Sequence, residues 1–145
     1  MTVGGPTVTG HAGGTDGTLP IVRDDDVVRV RQAVRAAAVT AKLSLVDQTK
    51  LVTAASELAR NTLIYGGGGH VEIESVSNER RRGVRLVFVD EGPGIADLDL
   101  ALTDGYTSGG GLGLGLSGAR RLTDEFDIAS AVDQGTRISV TKWAR

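Results

Sequence analysis

The chain has 145 residues and a mass of 15.0 kDa, a length that favours one compact domain. Sixteen lysines and arginines against eighteen aspartates and glutamates give a net charge of -2 and a pI near 5.6, which argues against a nucleic-acid or anionic-membrane surface as the main partner. The sequence contains no cysteine, which excludes disulfides and zinc-thiolate sites, and its only imidazoles are His11 and His70.

The distribution of apolar residues and glycines indicates where the folded domain lies. No run approaches the ~18 apolar residues of a membrane span, and the N-terminus lacks the basic-then-apolar order of a secretory signal, so we expect a cytoplasmic protein. Residues 1–18 are mostly Gly, Thr, Ala and Val without an apolar period, and they predict a flexible tail ahead of a single domain at residues 19–145. Glycine is in excess, with 21 residues against 3 prolines. Glycine-rich segments either form flexible linkers or allow the backbone to approach a ligand closely.

The first half of the domain predicts one strand and two helices. Residues 19–23 predict a short edge strand, and residues 24–42 predict a helix with three aspartates in its first turn. Ser44 or Asp47 can cap a second, longer helix, which ends at the glycine run of residues 66–69.

The second half predicts two hairpins and two further helices. Strands are expected at 71–74, 84–90, 126–132 and 136–143, and helices at 97–103 and 115–125. The segregation of helices and strands predicts an α+β fold, a two-layer α/β sandwich in which a mostly antiparallel sheet is covered by helices on one face.

Glu57 and Asn61 form the first cluster that could carry chemistry. They stand four residues apart on the second predicted helix, so their side chains project side by side. A carboxylate beside a carboxamide can hold one hydrated hard cation or orient one hydroxyl group. The alternative is a solvated helix face on which Glu57 pairs with Arg60, and the spacing alone leaves both open.

Asp90 and the glycines after it form the second cluster. Asp90 has the strand parity of the apolar residues before it, so it points between sheet and helices if they do. Gly92 and Gly94 keep the next turn free of Cβ atoms, which would let a flat ligand lie against the backbone. The alternative is a strand-ending turn in which Asp90 is an Asx cap.

Residues 107–118 form the third cluster, a glycine-rich run that leads into a predicted helix. Consecutive backbone N–H groups before a helix N-terminus can cradle a phosphate, whereas a flexible linker is the alternative. Gly113, Gly115 and Gly118 match G-x-G-x-x-G, but no hydrophobic strand runs into Gly113, so the context of a Rossmann fingerprint is absent. A Walker A loop needs a lysine, and every lysine of the chain is far from this run in sequence.

The three clusters, followed by Gly135-Thr136, resemble in order and spacing the nucleotide-binding fold of gyrase, Hsp90-type chaperones, histidine kinases and MutL. The resemblance covers about residues 19 to 145. The small size narrows it to the bacterial anti-sigma-factor-type serine/threonine kinases, and several segments are most similar to the stressosome switch kinases. Those segments are 56–61, 90–95, 104–110, 121–126 and Lys142-Trp143.

The resemblance implies an ATP-dependent kinase that transfers the γ-phosphoryl group to Ser or Thr of a partner protein, with Mg²⁺ as cofactor. Glu57 would be the catalytic base toward the attacking hydroxyl, and Asn61 would coordinate the Mg²⁺ that bridges the phosphates. Asp90 would accept the adenine amino proton, and Thr136 would complete that contact directly or through water. Gly92, Gly94 and Ile95 would flank the base. The lid over the triphosphate would comprise Thr107, Ser108, Gly109, Gly110, Gly111, Leu112, Gly113, Leu114 and Gly115.

Strand parity independently agrees with the place of Thr136. It alternates with Ile138 and Val140, so it should face the same buried side as they do. The chain departs from the family pattern in two places. The predicted lid has one additional glycine, which increases the conformational entropy lost when the lid orders over bound ATP, and the tail at residues 1–18 is longer than the fold requires.

The resemblance also implies partners. The substrates would be STAS-domain antagonist and scaffold proteins of the stressosome, and the released kinase would activate a PP2C-type phosphatase by binding to it. Two alternatives stay open. The chain could be an anti-sigma factor kinase that binds a sigma factor directly, or a non-catalytic module that keeps ATP as a structural ligand.

Overall fold

The computed structural model of the chain describes residues 17–95, 102 and 115–145. The strands in these ranges are β1 (Gly17–Ile21), β2 (Gly69–Ser77), β3 (Arg82–Asp90), β4 (Glu125–Ser130) and β5 (Thr136–Trp143). The helices are α1 (Asp24–Thr40), α2 (Leu45–Ile64) and α3 (Gly115–Arg121). The strands form one antiparallel sheet in the order β1-β2-β3-β5-β4.

The core lies between the helices and one face of the sheet. The side chains of Val84, Leu86 and Phe88 on β3 face the helices. The residues that pair with Leu86 and Phe88 on β2 and β5 are also apolar. Phe88 is 1% exposed at the centre of this layer, and the remaining core side chains are mainly Val, Leu, Ile and Ala. The two-layer α+β sandwich expected from the sequence is therefore confirmed.

Polar side chains fix the starts of the first two helices. The Asp26 carboxylate accepts hydrogen bonds from the backbone N–H groups of Val22 and Arg23, at 3.0 and 3.1 Å, which lower its pKa. The Ser44 hydroxyl accepts from the backbone N–H of Asp47 at 3.1 Å and is the N-cap of α2. Of the two capping candidates, Ser44 therefore has that role, and Asp47 is buried beside Lys142 instead.

Element boundaries shift where long-range contacts outweigh local pattern. β1 begins at Gly17, inside the segment predicted as tail, because Gly17 pairs with Ile73 of β2. α3 ends at Arg121 and not at residue 125, since Glu125 already belongs to β4, which ends at Ser130 and not at residue 132. The predicted helix at 97–103 lies outside the described residues apart from residue 102.

None of the helices in the described part of the chain has both the length and the apolar character that a membrane crossing requires.

Candidate functional site

Asp90 ends β3 on the face of the sheet that the helices cover. It is 7% exposed, and its Oδ1 accepts a hydrogen bond from the backbone N–H of Gly92 at 2.9 Å. Burial raises the pKa of the Asp90 carboxyl, and hydrogen bonds from the backbone of Gly92 and Thr136 oppose that rise. The Asx turn that sequence analysis set against a ligand-binding role is thus present. It occupies Oδ1 and leaves the carboxylate further capacity to accept hydrogen bonds.

Thr136 begins β5 directly opposite Asp90. The two residues are register partners on neighbouring antiparallel strands, so their side chains lie next to each other on the same face. Thr136 is 6% exposed and shares this face with Ile138 and Val140, as its strand parity predicts. The sheet thereby joins a carboxylate and a hydroxyl that are far apart in sequence.

Glycines surround Asp90 for a reason that differs from the expected one. A Cβ on Gly66, just after α2, would collide with the Asp90 side chain, and a Cβ on Gly92 would lie 2.7 Å from Gly66 Cα. Gly94 has a φ of +78°, and a Cβ there would collide with the backbone oxygen of Ala131. Gly92 and Gly94 therefore lack Cβ atoms because protein backbone packs against them, and not because that side is left open to a flat ligand.

Ser130, at the end of β4, connects the turn after β3 to the start of β5. Its Oγ accepts from the backbone N–H of Ile95 at 2.8 Å and lies 2.9 Å from both the Gly135 oxygen and Thr136 Oγ1. Sequence analysis missed this residue. It could have been found from the strand register of the closing hairpin, in which Ser130 pairs with Thr136.

Glu57 and Asn61 lie on α2 as their spacing predicts, but Glu57 also has the alternative partner. Arg60 Nη1 is 3.3 Å from Glu57 Oε1, and the two side chains are 45% and 16% exposed. A partly exposed ion pair of this kind contributes about 0.2–1 kcal/mol, which is too little to hold Glu57 in one place against a bound ligand. The pair and a catalytic role are therefore compatible.

Asn61 would act as a magnesium ligand without help from a carboxylate cluster. Within residues 17–95, 102 and 115–145, no three His, Asp or Glu side chains gather closely enough to hold a metal ion. Mg²⁺ keeps several waters and is usually bound by one or two protein groups together with substrate phosphates. A single amide oxygen beside a bound triphosphate therefore suits Mg²⁺ better than a metal ion whose ligands must all come from the protein.

The predicted lid lies mostly outside the described residues. Thr107, Ser108, Gly109, Gly110, Gly111, Leu112, Gly113 and Leu114 belong to that part of the chain. Gly115 is described: it begins α3 with a φ of +70°. α3 packs against α2, the helix that carries Glu57 and Asn61. Ile95 also packs against the core near the turn after β3.

Comparisons with known proteins agree with this arrangement. The family model described as histidine kinase-, DNA gyrase B-, and HSP90-like ATPase matches residues 46–144. RsbT of Bacillus subtilis (strain 168), a serine/threonine-protein kinase, is 42% identical over 86% of this chain and 94% of RsbT. An anti-sigma F factor of Clostridium novyi (strain NT) is 33% identical over 72% of this chain and 80% of that relative.

Two solved structures share the fold. The RsbU and RsbW domains of a Mycobacterium tuberculosis protein superpose with a TM-score of 0.62 at 19% identity, over 90% of this chain and 33% of that longer chain. The mycobacterial sensor histidine kinase MprB superposes with a TM-score of 0.53 at 17% identity, over 90% of this chain and 98% of that one. The family expected from the sequence motifs is confirmed, and the chain belongs to the histidine kinase-, DNA gyrase B-, and HSP90-like ATPases, in the branch that includes RsbT.

Proposed function

We propose that this chain is an ATP-dependent serine/threonine protein kinase that phosphorylates STAS-domain antagonist and scaffold proteins of a stressosome in the cytoplasm. When released from them, it activates a PP2C-type phosphatase by binding to it, in a pathway that regulates a sigma factor. The kinase name of the RsbT relative and the anti-sigma factor names of other relatives support this proposal. The STAS-domain substrates and the phosphatase partner are implied by the resemblance of the sequence motifs to the stressosome switch kinases.

The observation that carries the proposal is the pairing of Asp90 with Thr136. A buried carboxylate that still has acceptor capacity is suited to a ligand edge with N–H donors, and the adenine amino group is such an edge. Asp90 accepts one amino hydrogen, and Thr136 Oγ1 completes the contact directly or through a water. As the resemblance implies, the turn of Gly92, Gly94 and Ile95 would flank the base, on a side other than the one on which Gly66 and Ala131 pack against its glycines.

Glu57 is the base in the transfer step. Its carboxylate takes the proton of the substrate hydroxyl while that oxygen attacks the γ-phosphorus, and the bond to the bridging oxygen breaks to release ADP. Its 16% exposure leaves the carboxylate accessible to a docked protein substrate. Asn61 would hold Mg²⁺, whose charge neutralises the phosphates when ATP is bound. The run from Thr107 to Gly115 closes over the triphosphate.

A direct anti-sigma factor is the second candidate, and the 33% identity to an anti-sigma F factor favours it. In that case the chain would hold a sigma factor itself and would use ATP to control the complex. The partly exposed Glu57 carboxylate, one helical turn from the amide proposed to hold Mg²⁺, favours a catalytic use of ATP over a purely structural one.

One experiment separates these functions. The full chain is incubated with Mg²⁺ and γ-labelled ATP, in parallel with a STAS protein encoded near it and with each sigma factor of the same cell. The proposal predicts label on a Ser or Thr of the STAS protein and no stable complex with a sigma factor. A tight sigma-factor complex without STAS phosphorylation supports the second candidate, and ATP binding with no transfer to any protein supports the non-catalytic module.

A further inference from the structure

The side chain of Ser130 contacts three groups that surround Asp90. Its single oxygen lies within hydrogen-bond distance of the Ile95 N–H, the Gly135 carbonyl and the Thr136 hydroxyl, at 2.8, 2.9 and 2.9 Å. These three partners belong to the two turns that flank Asp90 and to the residue opposite Asp90. Ser130 is only partly buried, so its hydroxyl could bond water at little cost instead.

The chemistry of the partners fixes the direction of each bond. The Gly135 carbonyl can only accept, so Ser130 donates its one hydrogen there, and the Ile95 N–H can only donate, so it takes one lone pair of Ser130 Oγ. The remaining lone pair faces Thr136 Oγ1, and Thr136 is therefore the donor in that bond. With its hydrogen committed to Ser130, Thr136 presents only lone pairs to a ligand beside Asp90.

We propose that Ser130 is a positioning residue that makes Thr136 an acceptor and thereby sets the preference of this site for adenine over guanine. Both side chains at the base edge then accept hydrogen bonds, which suits the two hydrogens of an amino group. A carbonyl oxygen at the same place would meet two acceptors and no donor, and an unpaired, desolvated polar group is disfavoured. Ser130 acts through Thr136 and does not itself contact the base. The inference rests on the proposed function because it takes the ligand to be a purine nucleotide.

The test measures affinities of the full chain for ATP and GTP by calorimetry, in the presence of Mg²⁺. In Ser130→Ala the Thr136 hydroxyl is free to rotate and to donate. We expect the affinity for ATP to fall about three- to tenfold and the ratio of ATP to GTP affinity to fall about tenfold. Ser130→Thr keeps the hydroxyl and should restore most of the ratio.

Ser139→Ala is the matched control. Ser139 is a buried strand serine on the opposite face of the sheet, and its Oγ accepts a hydrogen bond from Arg85 Nε at 3.1 Å. A structural loss of one serine hydroxyl should therefore lower stability in both variants, but only Ser130→Ala should change the nucleotide ratio. If Ser130→Ala fails to fold, Ser130→Cys replaces the oxygen by a sulfur that is only a weak acceptor for the Thr136 hydrogen, and the ratio should fall in it as well.

A double variant separates positioning from loosening of the turns. When Thr136→Val removes the second hydroxyl, adding Ser130→Ala should change the ATP to GTP ratio no further. The inference is overturned if Ser130→Ala and Ser130→Cys keep the parent ratio, if the double variant shifts the ratio additively, or if the parent chain binds ATP and GTP equally. Failure of the parent chain to bind either nucleotide overturns the proposed function itself, and this inference with it.

Discussion

Asp90 is the residue at which the proposed function and stability oppose each other. A carboxylate buried at the end of β3 destabilises the unliganded protein, because desolvation disfavours its charged form, yet the same charge makes it a strong acceptor for a ligand amino group. Active sites commonly keep such groups although a neutral side chain of the same shape would be better tolerated.

Asp90→Asn should therefore separate the two effects. The amide oxygen can still accept from the Gly92 N–H, so we expect the unliganded variant to melt no lower than the parent protein. Its thermal shift with ATP should be lost, because an amide nitrogen can face the adenine amino group as a second donor. Melting curves with and without Mg-ATP measure both. Asp127→Asn, on the opposite face of the sheet, is the control, and an unchanged ATP shift in Asp90→Asn would contradict the assignment.

The burial of Asp90 should also affect how the free energy of unfolding depends on pH. Asp90 has its ordinary pKa of 3.8 in the unfolded chain and a raised pKa in the folded one, so between these values the folded state binds more protons. Its contribution to the free energy of unfolding therefore decreases as pH rises through this window and stays low above it. Urea unfolding from pH 3.5 to 7 should show this decrease in the difference between the free energies of unfolding of the parent protein and Asp90→Asn, because the contributions of other groups such as Asp26 are common to both proteins. Parallel pH profiles would show that burial does not raise this pKa.

The helices and strands carry a separate ionic network at the end of the sheet opposite to the nucleotide site. Lys142 on β5 is 4% exposed, and its Nζ lies 3.6 Å from Asp47 Oδ1 at the start of α2 and 3.5 Å from Asp124 Oδ1 before β4. Arg145, which is 61% exposed, contacts the same two carboxylates. The network fastens the helix that carries Glu57 and Asn61 to the last strand.

Lys142→Met should destabilise the protein without affecting the site. Two carboxylates would lose their buried partner, and breaking such an arrangement costs about 3–5 kcal/mol, of which we expect the lower value because Arg145 remains. At about 2–4 °C per kcal/mol, the melting temperature should fall by roughly 6–12 °C. ATP affinity should stay unchanged. Lys50→Met, on the exposed side of α2, is the control, and equal melting temperatures for the two variants would show that the network is not stabilising.

Local pattern predicted the elements well but not all their ends. The alternation of β3 placed Asp90 correctly, since one buried face fixes the register of a strand. The end of α3 could not be predicted, because Glu125 is drawn into β4 by a hydrogen bond from Trp143 Nε1 at 2.7 Å, a contact between residues that no local period connects. Asp47 likewise could not be distinguished from a helix cap before Lys142 was known to lie beside it.

For the molecule as a whole, the order of the clusters along the chain was informative because the sheet brings them together. Asp90 and Thr136 meet only through the pairing of β3 with β5, and the family pattern encodes that pairing. Ser130 and Gly66 escaped prediction because their roles are contacts with that pair, which appear only when β4 and the end of α2 are in place. The lid remains a prediction, since residues 107–114 are outside the described ranges.

Glu57 is proposed to be the base of a protein kinase and not merely the ion-pair partner of Arg60. Single-turnover transfer of labelled phosphate from ATP to a STAS protein tests it in the parent chain, Glu57→Ala and Arg60→Ala, with ATP affinity measured on the same preparations. Loss of a general base lowers the rate by roughly 10²–10⁴-fold and spares ATP affinity. We expect that loss in Glu57→Ala and a much smaller one in Arg60→Ala, although both variants lack the 3.3 Å ion pair. Transfer by Glu57→Ala at the parent rate would contradict it.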